Sequence, residues 1–325
     1  MKLLLEPPAW ATELLSDMTD MDRDPLPLAQ AGAVQVEYEL PDDAYFEYAY
    51  RHPDGRILGD PGNRERAASP WFPNASAVFG PAYTAGELAA PPDEPAQGTT
   101  TRLRFQSEVL PGEPRRVTVY TPAGHEGKEL PLVMVQDGVA FYRLARLHQV
   151  ADALNQLGAT RPARFAFVEP HDRNEEYGFS PAYRTFLAEE LLQKLDTEFP
   201  TTGERIWLGA SLGGLLSATV ALTYPQLVSS VVSFSGAFLG TPQEREFYRT
   251  DRSWLLDQLK GGATPPPRWY LEVGSLEWLT DVNRQVAQQL AGAGVQSELT
   301  IRNAGHNWTS WRNGLAAALR FVLAT

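Results

Sequence analysis

Two kinds of hydrophobic pattern divide this chain. Near its start, V-Q-V-E-Y-E-L (34–40) and Y-F-E-Y-A-Y (45–50) alternate apolar with polar positions, which predicts strands with one buried face. P-D-D-A between them and H-P-D-G-R after them carry turn residues. Further along, P-L-V-M-V-Q-D-G (131–138) and A-R-F-A-F-V-E-P (163–170) are continuous apolar runs, as strands covered on both faces require. R-V-T-V-Y (116–120), I-W-L, V-V-S-F-S, W-Y-L-E-V-G and S-E-L-T-I-R-N predict further strands. Between them, helical spacing runs over 141–157, 181–196, L-L-S-A-T-V-A-L-T-Y-P, 282–291 and from about 308. Strands alternating with helices predict an α/β fold, a doubly wound and mostly parallel sheet, with ligands at the carboxyl ends of its strands.

The stretch A-G-E-L-A-A-P-P-D-E-P-A-Q-G (85–98) separates the two patterns and reads as a linker, since proline and low hydrophobicity oppose packing. The expected organisation is an all-β sandwich with its linker over 1–97 and a catalytic α/β domain over 98–325. A chain of 325 residues is long enough for two such cores.

Net charge is −12, which argues against nucleic acid or an anionic membrane as partner. The acidity is uneven: residues 1–97 hold 17 acidic and 6 basic side chains, and residues 98–325 hold 23 and 22. The second part can therefore accept an anion, with Arg143, Arg146 and Arg173 near strand ends, although no dense basic cluster stands out along it. The absence of cysteine excludes disulfides, Cys-ligated metal and a thiol nucleophile. The opening M-K-L-L-L-E-P-P is too short for a secretory apolar core, and no run reaches the ~18 apolar residues of a membrane span, so a cytoplasmic protein is expected.

The chemistry begins at Gly209-Ala210-Ser211-Leu212-Gly213. This G-x-S-x-G follows a predicted strand and precedes a predicted helix, the context of a nucleophile elbow. A serine hydroxyl needs a base to take its proton. Of the five histidines, His52, His125, His148, His171 and His306, the last alone follows Ser211, on the loop after the final predicted strand. An acid must orient it. Glu272 and Glu298 fall within strands, whereas Glu277 and Asp281 fall in the loop or at the next helix start; loop position favours Glu277. Oxyanion donors are expected at the N–H of Leu212 and in the D-G-V turn, from Gly138 or Val139. Tyr177, Trp308 and Trp311 are aromatics near these segments, able to stack on an acyl group.

On V-M-V-Q-D-G, R-N-E-E-Y, G-A-S-L-G-G, F-S-G-A-F, L-E-V-G-S-L-E and A-G-H-N-W-x-x-W-R-N-G-L, the chain resembles the enterochelin (ferric enterobactin) esterase family of α/β-hydrolases from about 130 to 325. The resemblance implies a Ser211–His306–Glu277 triad, a substrate border at Arg173 and Glu176, and cytoplasmic hydrolysis of a catecholate siderophore's ester bonds. It implies a small-molecule ester as partner and no cofactor, any bound iron being part of the substrate. Residues L-L-S-D-M-T-D-M-D-R-D-P-L-P-L and Y-F-E-Y-A-Y-R-H-P-D-G-R-I-L-G-D-P-G-N resemble the early-set immunoglobulin-like domain of such esterases and of glycogen-branching enzymes, with Met21 where glycan binders carry tryptophan. The same group includes feruloyl, acetyl and simple aryl esterases, which leaves a general carboxylesterase as an alternative. A glycan- or siderophore-binding protein on a catalytically dead scaffold is the alternative outside enzymology.

Overall fold

The computed structural model describes residues 1–28, 35–90 and 97–324; Val34 of the first expected strand and 91–96 of the expected linker lie outside the described residues. Two compact units result. One gathers Met1–Gly86, Val273–Thr280 and Ile301–Asn313; the other gathers Glu87–Glu272, Asp281–Thr300 and Gly314–Thr325.

The first unit is built on strand Tyr45–Arg51, which pairs antiparallel with Glu13–Ser16, Ile57–Leu58 and Ser76–Phe79. Lys2–Leu5 and Val36–Glu39 form a second, two-stranded sheet. The alternation in Y-F-E-Y-A-Y predicts one buried and one solvated face, but here both faces are buried. Phe46, Tyr48 and Tyr50 pack with Leu5, Leu14 and Leu40, while Tyr45 and Ala49 pack with Met21, Ala75, Ala77 and Ala304. Successive side chains point to opposite faces, so one strand serves two cores. Met21 is inside the second core rather than on a glycan-facing surface. Glu47 is carried inward with its neighbours and is 2% exposed.

The second unit contains an eight-stranded sheet. In chain order its strands are β1 (Thr99–Phe105), β2 (Arg115–Thr121), β3 (Leu130–Val135), β4 (Arg164–Val168), β5 (Thr201–Ala210), β6 (Ser230–Phe234), β7 (Arg268–Gly274) and β8 (Gln296–Arg302). Their spatial order is β8-β7-β6-β5-β3-β4-β2-β1. The pairs β3–β4, β3–β5, β5–β6 and β6–β7 are parallel, and β1–β2 and β2–β4 antiparallel. The apolar runs of β3 and β4 are buried along their whole length, as helices over both faces of a parallel sheet demand. With β4 on one side of β3 and β5 on the other, the chain reverses direction across the sheet there, which is where such folds place ligands.

Helical spacing over 141–157 predicts one helix, but the chain makes two, Gly138–Arg143 and Leu147–Gln156, because Arg146 takes a left-handed φ of 52° that no continuous helix accommodates. The expected helix over 181–196 runs as Pro181–Thr185, a wider π-type turn over Phe186–Leu191, and Leu192–Glu198. Among the described residues no helix is long and apolar enough to cross a membrane.

Candidate active site

Strand β5 carries fully buried Trp207 and Leu208 and ends at Ala210, and helix Leu212–Thr223 begins immediately after Ser211. Ser211 therefore carries the whole reversal, at φ 56° and ψ −122°. A non-glycine residue there costs roughly 1–3 kcal/mol and persists only where its surroundings hold it. Its N–H donates to the Phe234 carbonyl at 2.8 Å, and its own carbonyl accepts from Leu215 at 3.1 Å and Ala237 at 3.0 Å. A Cβ on Gly209 would lie 2.3 Å from the carbonyl carbon of Gly213, so the strand end and the first helical turn meet only because residue 209 has none. Leu212 opens the helix and has no preceding turn to accept its N–H.

The D-G turn follows β3. Asp137 has φ 53°, and a Cβ on Gly138 would lie 2.5 Å from the Phe167 carbonyl carbon. Arg173 grips the Asp137 carboxylate with two prongs, Nε to Oδ1 at 2.7 Å and an Nη2 contact to Oδ2 at 2.9 Å. The same Nη2 reaches the Ala210 carbonyl at 3.2 Å. One guanidinium thus ties the D-G turn to the residue before Ser211. Asp137 also donates its N–H to the Tyr177 hydroxyl at 2.8 Å, and burial pushes that phenol well above its ordinary range. Tyr177 is fully buried, so it supports the turn rather than offering a face for stacking. Val139 donates its N–H to Glu169 at 2.9 Å. Glu176 is buried too, its carboxylate taken by Arg115 and by the His171 N–H at 3.0 Å.

In the first unit, the loop after β7 holds Glu277, whose side chain has no exposure. Its Oε1 accepts the Gly274 N–H at 2.6 Å, and its Oε2 is hydrogen-bonded to His306 Nδ1. The His306 ring lies 4.6 Å from Trp278 and 5.1 Å from Trp311, the latter edge-on. Trp308 and Trp311 are 2% and 1% exposed and pack on each other and on Trp71. Asp281 points outward, 84% exposed, against Arg284. Glu272 is buried in β7 and accepts the Tyr270 hydroxyl, and Glu298 is exposed. Among the acids weighed, Glu277 is the one bonded to His306.

Two further residues hold the histidine's neighbours. Asn307 caps helix Trp308–Val322 by accepting the Ser310 N–H at 2.9 Å, while its amide donates to Asp17. Asp17 also accepts the Glu47 N–H at 2.8 Å. Burial, then the charge of Glu47, pushes the Asp17 carboxyl well above the usual range. Neither Asp17 nor Asn307 is legible as a partner of the other in the sequence, since 290 residues separate them. Nor does it single out Asp137, beyond its place in a turn, or Trp278.

A mostly parallel sheet in this order, with a strained serine between strand and helix, is the α/β-hydrolase architecture. Within it the chain belongs to the Esterase family, whose model matches residues 107–322. It is 28% identical over 232 residues to an iron(III) salmochelin esterase of Escherichia coli O6:H1, covering 66% of this chain and 56% of that protein. It is 27% identical over 289 residues to an iron(III) enterobactin esterase of Dickeya dadantii, covering 82% and 65%. The chain thus spans between about half and two thirds of these curated relatives. In fold it is similar to the crystal structure of an enterobactin esterase from Shigella flexneri in the presence of enterobactin, with a TM-score of 0.77 at 18% identity over 99% of this chain and 92% of that one.

Proposed function

We propose that this chain is a serine carboxylic-ester hydrolase acting through Ser211, His306 and Glu277, and that its substrates are siderophore esters. The observation that carries the reading is the strained positive-φ backbone of Ser211 between a buried strand and a helix, a strain that folds retain chiefly at functional positions. The His306–Glu277 hydrogen bond supports it. With Nδ1 engaged by Glu277, Nε2 is the nitrogen that serves as base. It takes the Ser211 hydroxyl proton as Oγ attacks the ester carbonyl. The tetrahedral oxyanion is held by the N–H groups of Leu212 and Gly138; the Val139 N–H is already given to Glu169. Collapse breaks the ester C–O bond, and His306 returns the proton to the departing alkoxide. Water then repeats the sequence on the acyl-enzyme, releasing the acid. Glu277 fixes the imidazole and balances its charge while it is protonated. The names of the relatives in Escherichia coli and Dickeya support the siderophore substrate.

The test is hydrolysis of p-nitrophenyl butyrate by Ser211→Ala and His306→Ala. Each change is expected to lower kcat more than about 1,000-fold, since nucleophile and base act as a unit. Full turnover in either variant overturns the proposal. Mass spectrometry of products from a tris-catecholate trilactone, feruloyl esters and short acyl esters decides the substrate class.

A further inference from the structure

A cavity of about 240 Å³ in the second unit is lined by Gly138 and Val139 of the D-G-V turn and by four arginines, Arg102, Arg104, Arg116 and Arg143. No dense basic cluster is visible along the sequence, because these four come from two strands and the end of a helix. The strand register explains the clustering. Arg104 stands directly opposite Arg116 across the antiparallel β1–β2 pair, and Arg102 stands opposite Thr118. Residues two apart in a strand share a face, so Arg102, Arg104 and Arg116 share one. Arg143, from the helix that starts at Gly138, adds a fourth guanidinium to the lining.

This arrangement works against stability. Like charges directly opposite one another in an antiparallel pair repel. All four arginines are exposed, and among the described residues none of them forms an ion pair or hydrogen bond with a carboxylate. The lining holds a single acid, Glu169, which attracts Arg116 while accepting the Val139 N–H. Burial raises the Glu169 carboxyl above its ordinary range, against the opposing effects of the Val139 N–H and Arg116. The wall also includes Tyr142 and Phe167, whose rings meet edge to face at 5.2 Å. Unmatched guanidiniums beside aromatic rings suit a small organic anion: the charge is met by donors in a planar fork, and the body by apolar surface.

We propose that this cavity is an anion subsite, in which Arg102, Arg104, Arg116 and Arg143 take the ionised oxygens of a small acyl or aryl group, carboxylate or phenolate. Its use in ester selection rests on the hydrolase reading above, because Gly138 lies in both; its capacity to bind an anion does not.

The experiment compares mono-p-nitrophenyl glutarate with p-nitrophenyl valerate, which share a leaving group and acyl length and differ in one carboxylate. The full chain is expected to favour the glutarate. In Arg104→Gln/Arg116→Gln the ratio of the two kcat/KM values should fall about tenfold, through the glutarate KM, the scale of one charge-assisted hydrogen bond. Arg104→Lys/Arg116→Lys, which keeps the charge, should retain most of the preference. A glutarate-to-valerate ratio unchanged in the glutamine pair overturns the proposal. Should that pair fail to fold, Arg102→Gln and Arg143→Gln singly must each lower the same ratio, and an unchanged ratio in both is again fatal. If the unmodified chain cleaves neither ester, the hydrolase reading fails, and ligand-observed NMR of benzoate against benzamide decides this one. Benzoate held in preference to benzamide, and released by the glutamine substitutions, supports the subsite; equal binding of the two overturns it.

Discussion

Asn307, the residue after His306, donates its side-chain amide to the buried carboxylate of Asp17 at 3.3 and 3.4 Å, across 290 residues of chain. On the other side of His306, a Cβ on Gly305 would lie 2.2 Å from the Asp17 carboxyl carbon. One acid of the N-terminal region therefore touches both neighbours of the histidine. Asp17→Ala is expected to lower kcat about 10- to 100-fold with little change in KM, as the imidazole loses its orientation. Asp17→Asn keeps an acceptor for Asn307 and should recover much of the loss. Wild-type kcat in the alanine variant would show that Asp17 has no part in positioning His306.

Glu47 lies beside Asp17, accepts the Tyr45 hydroxyl at 2.8 Å, and is pushed from 4.5 up to about 7 by burial, against the opposing effects of Tyr45 and Arg312. A carboxyl with a raised folded pKa holds its proton more tightly in the native state, so its contribution to stability is fully present below the unfolded value. That contribution is lost as pH rises through the folded value. The melting temperature should therefore decline between about pH 4.5 and pH 7. Asp17, raised in the same direction, adds to the decline. Glu47→Gln, which preserves an acceptor for Tyr45, should flatten the slope in thermal melts across that range. An identical slope in the variant would exclude Glu47 as its source.

The acid of the proposed triad is separable from its sequence rival. Glu277→Gln should lower kcat about 1,000- to 10,000-fold, because an amide can neither hold the imidazole tautomer nor stabilise its charged form. Asp281→Asn removes only an exposed ion pair with Arg284. It should leave kcat within about twofold and change stability by less than about 1 kcal/mol. Steady-state kinetics and urea midpoints on the two variants check this, and the reverse ordering would assign the acid to Asp281.

Arg173 links Asp137 to the Ala210 carbonyl, joining the proposed oxyanion turn to the serine elbow. Lysine keeps the charge but not the fork. Arg173→Lys is thus expected to lower kcat about tenfold while KM changes less, a loss of geometry at the oxyanion rather than of substrate affinity. A variant whose KM rises at constant kcat would instead make Arg173 a substrate ligand.

The sequence by itself determined the class of fold and singled out Ser211 at the elbow and His306 as the candidate pair. Those features are local: short continuous apolar runs bounded by turn residues fit strands covered on both faces, and Gly209-Ala210-Ser211-Leu212-Gly213 allows a turn too tight for side chains at its glycines. Position along the chain then left His306 alone after Ser211. Tertiary structure decided what depends on residues far apart in sequence. It bonded Glu277 rather than Asp281 to His306 across 29 residues, brought Asp17 to Asn307, and turned Glu176 and Tyr177 into the interior. It also set Arg104 opposite Arg116 by strand register, and buried both faces of Tyr45–Arg51 by giving one strand two cores. Local pattern specifies which face of an element is apolar. What that face meets is chosen by chain closure and packing, which no window of neighbouring residues contains.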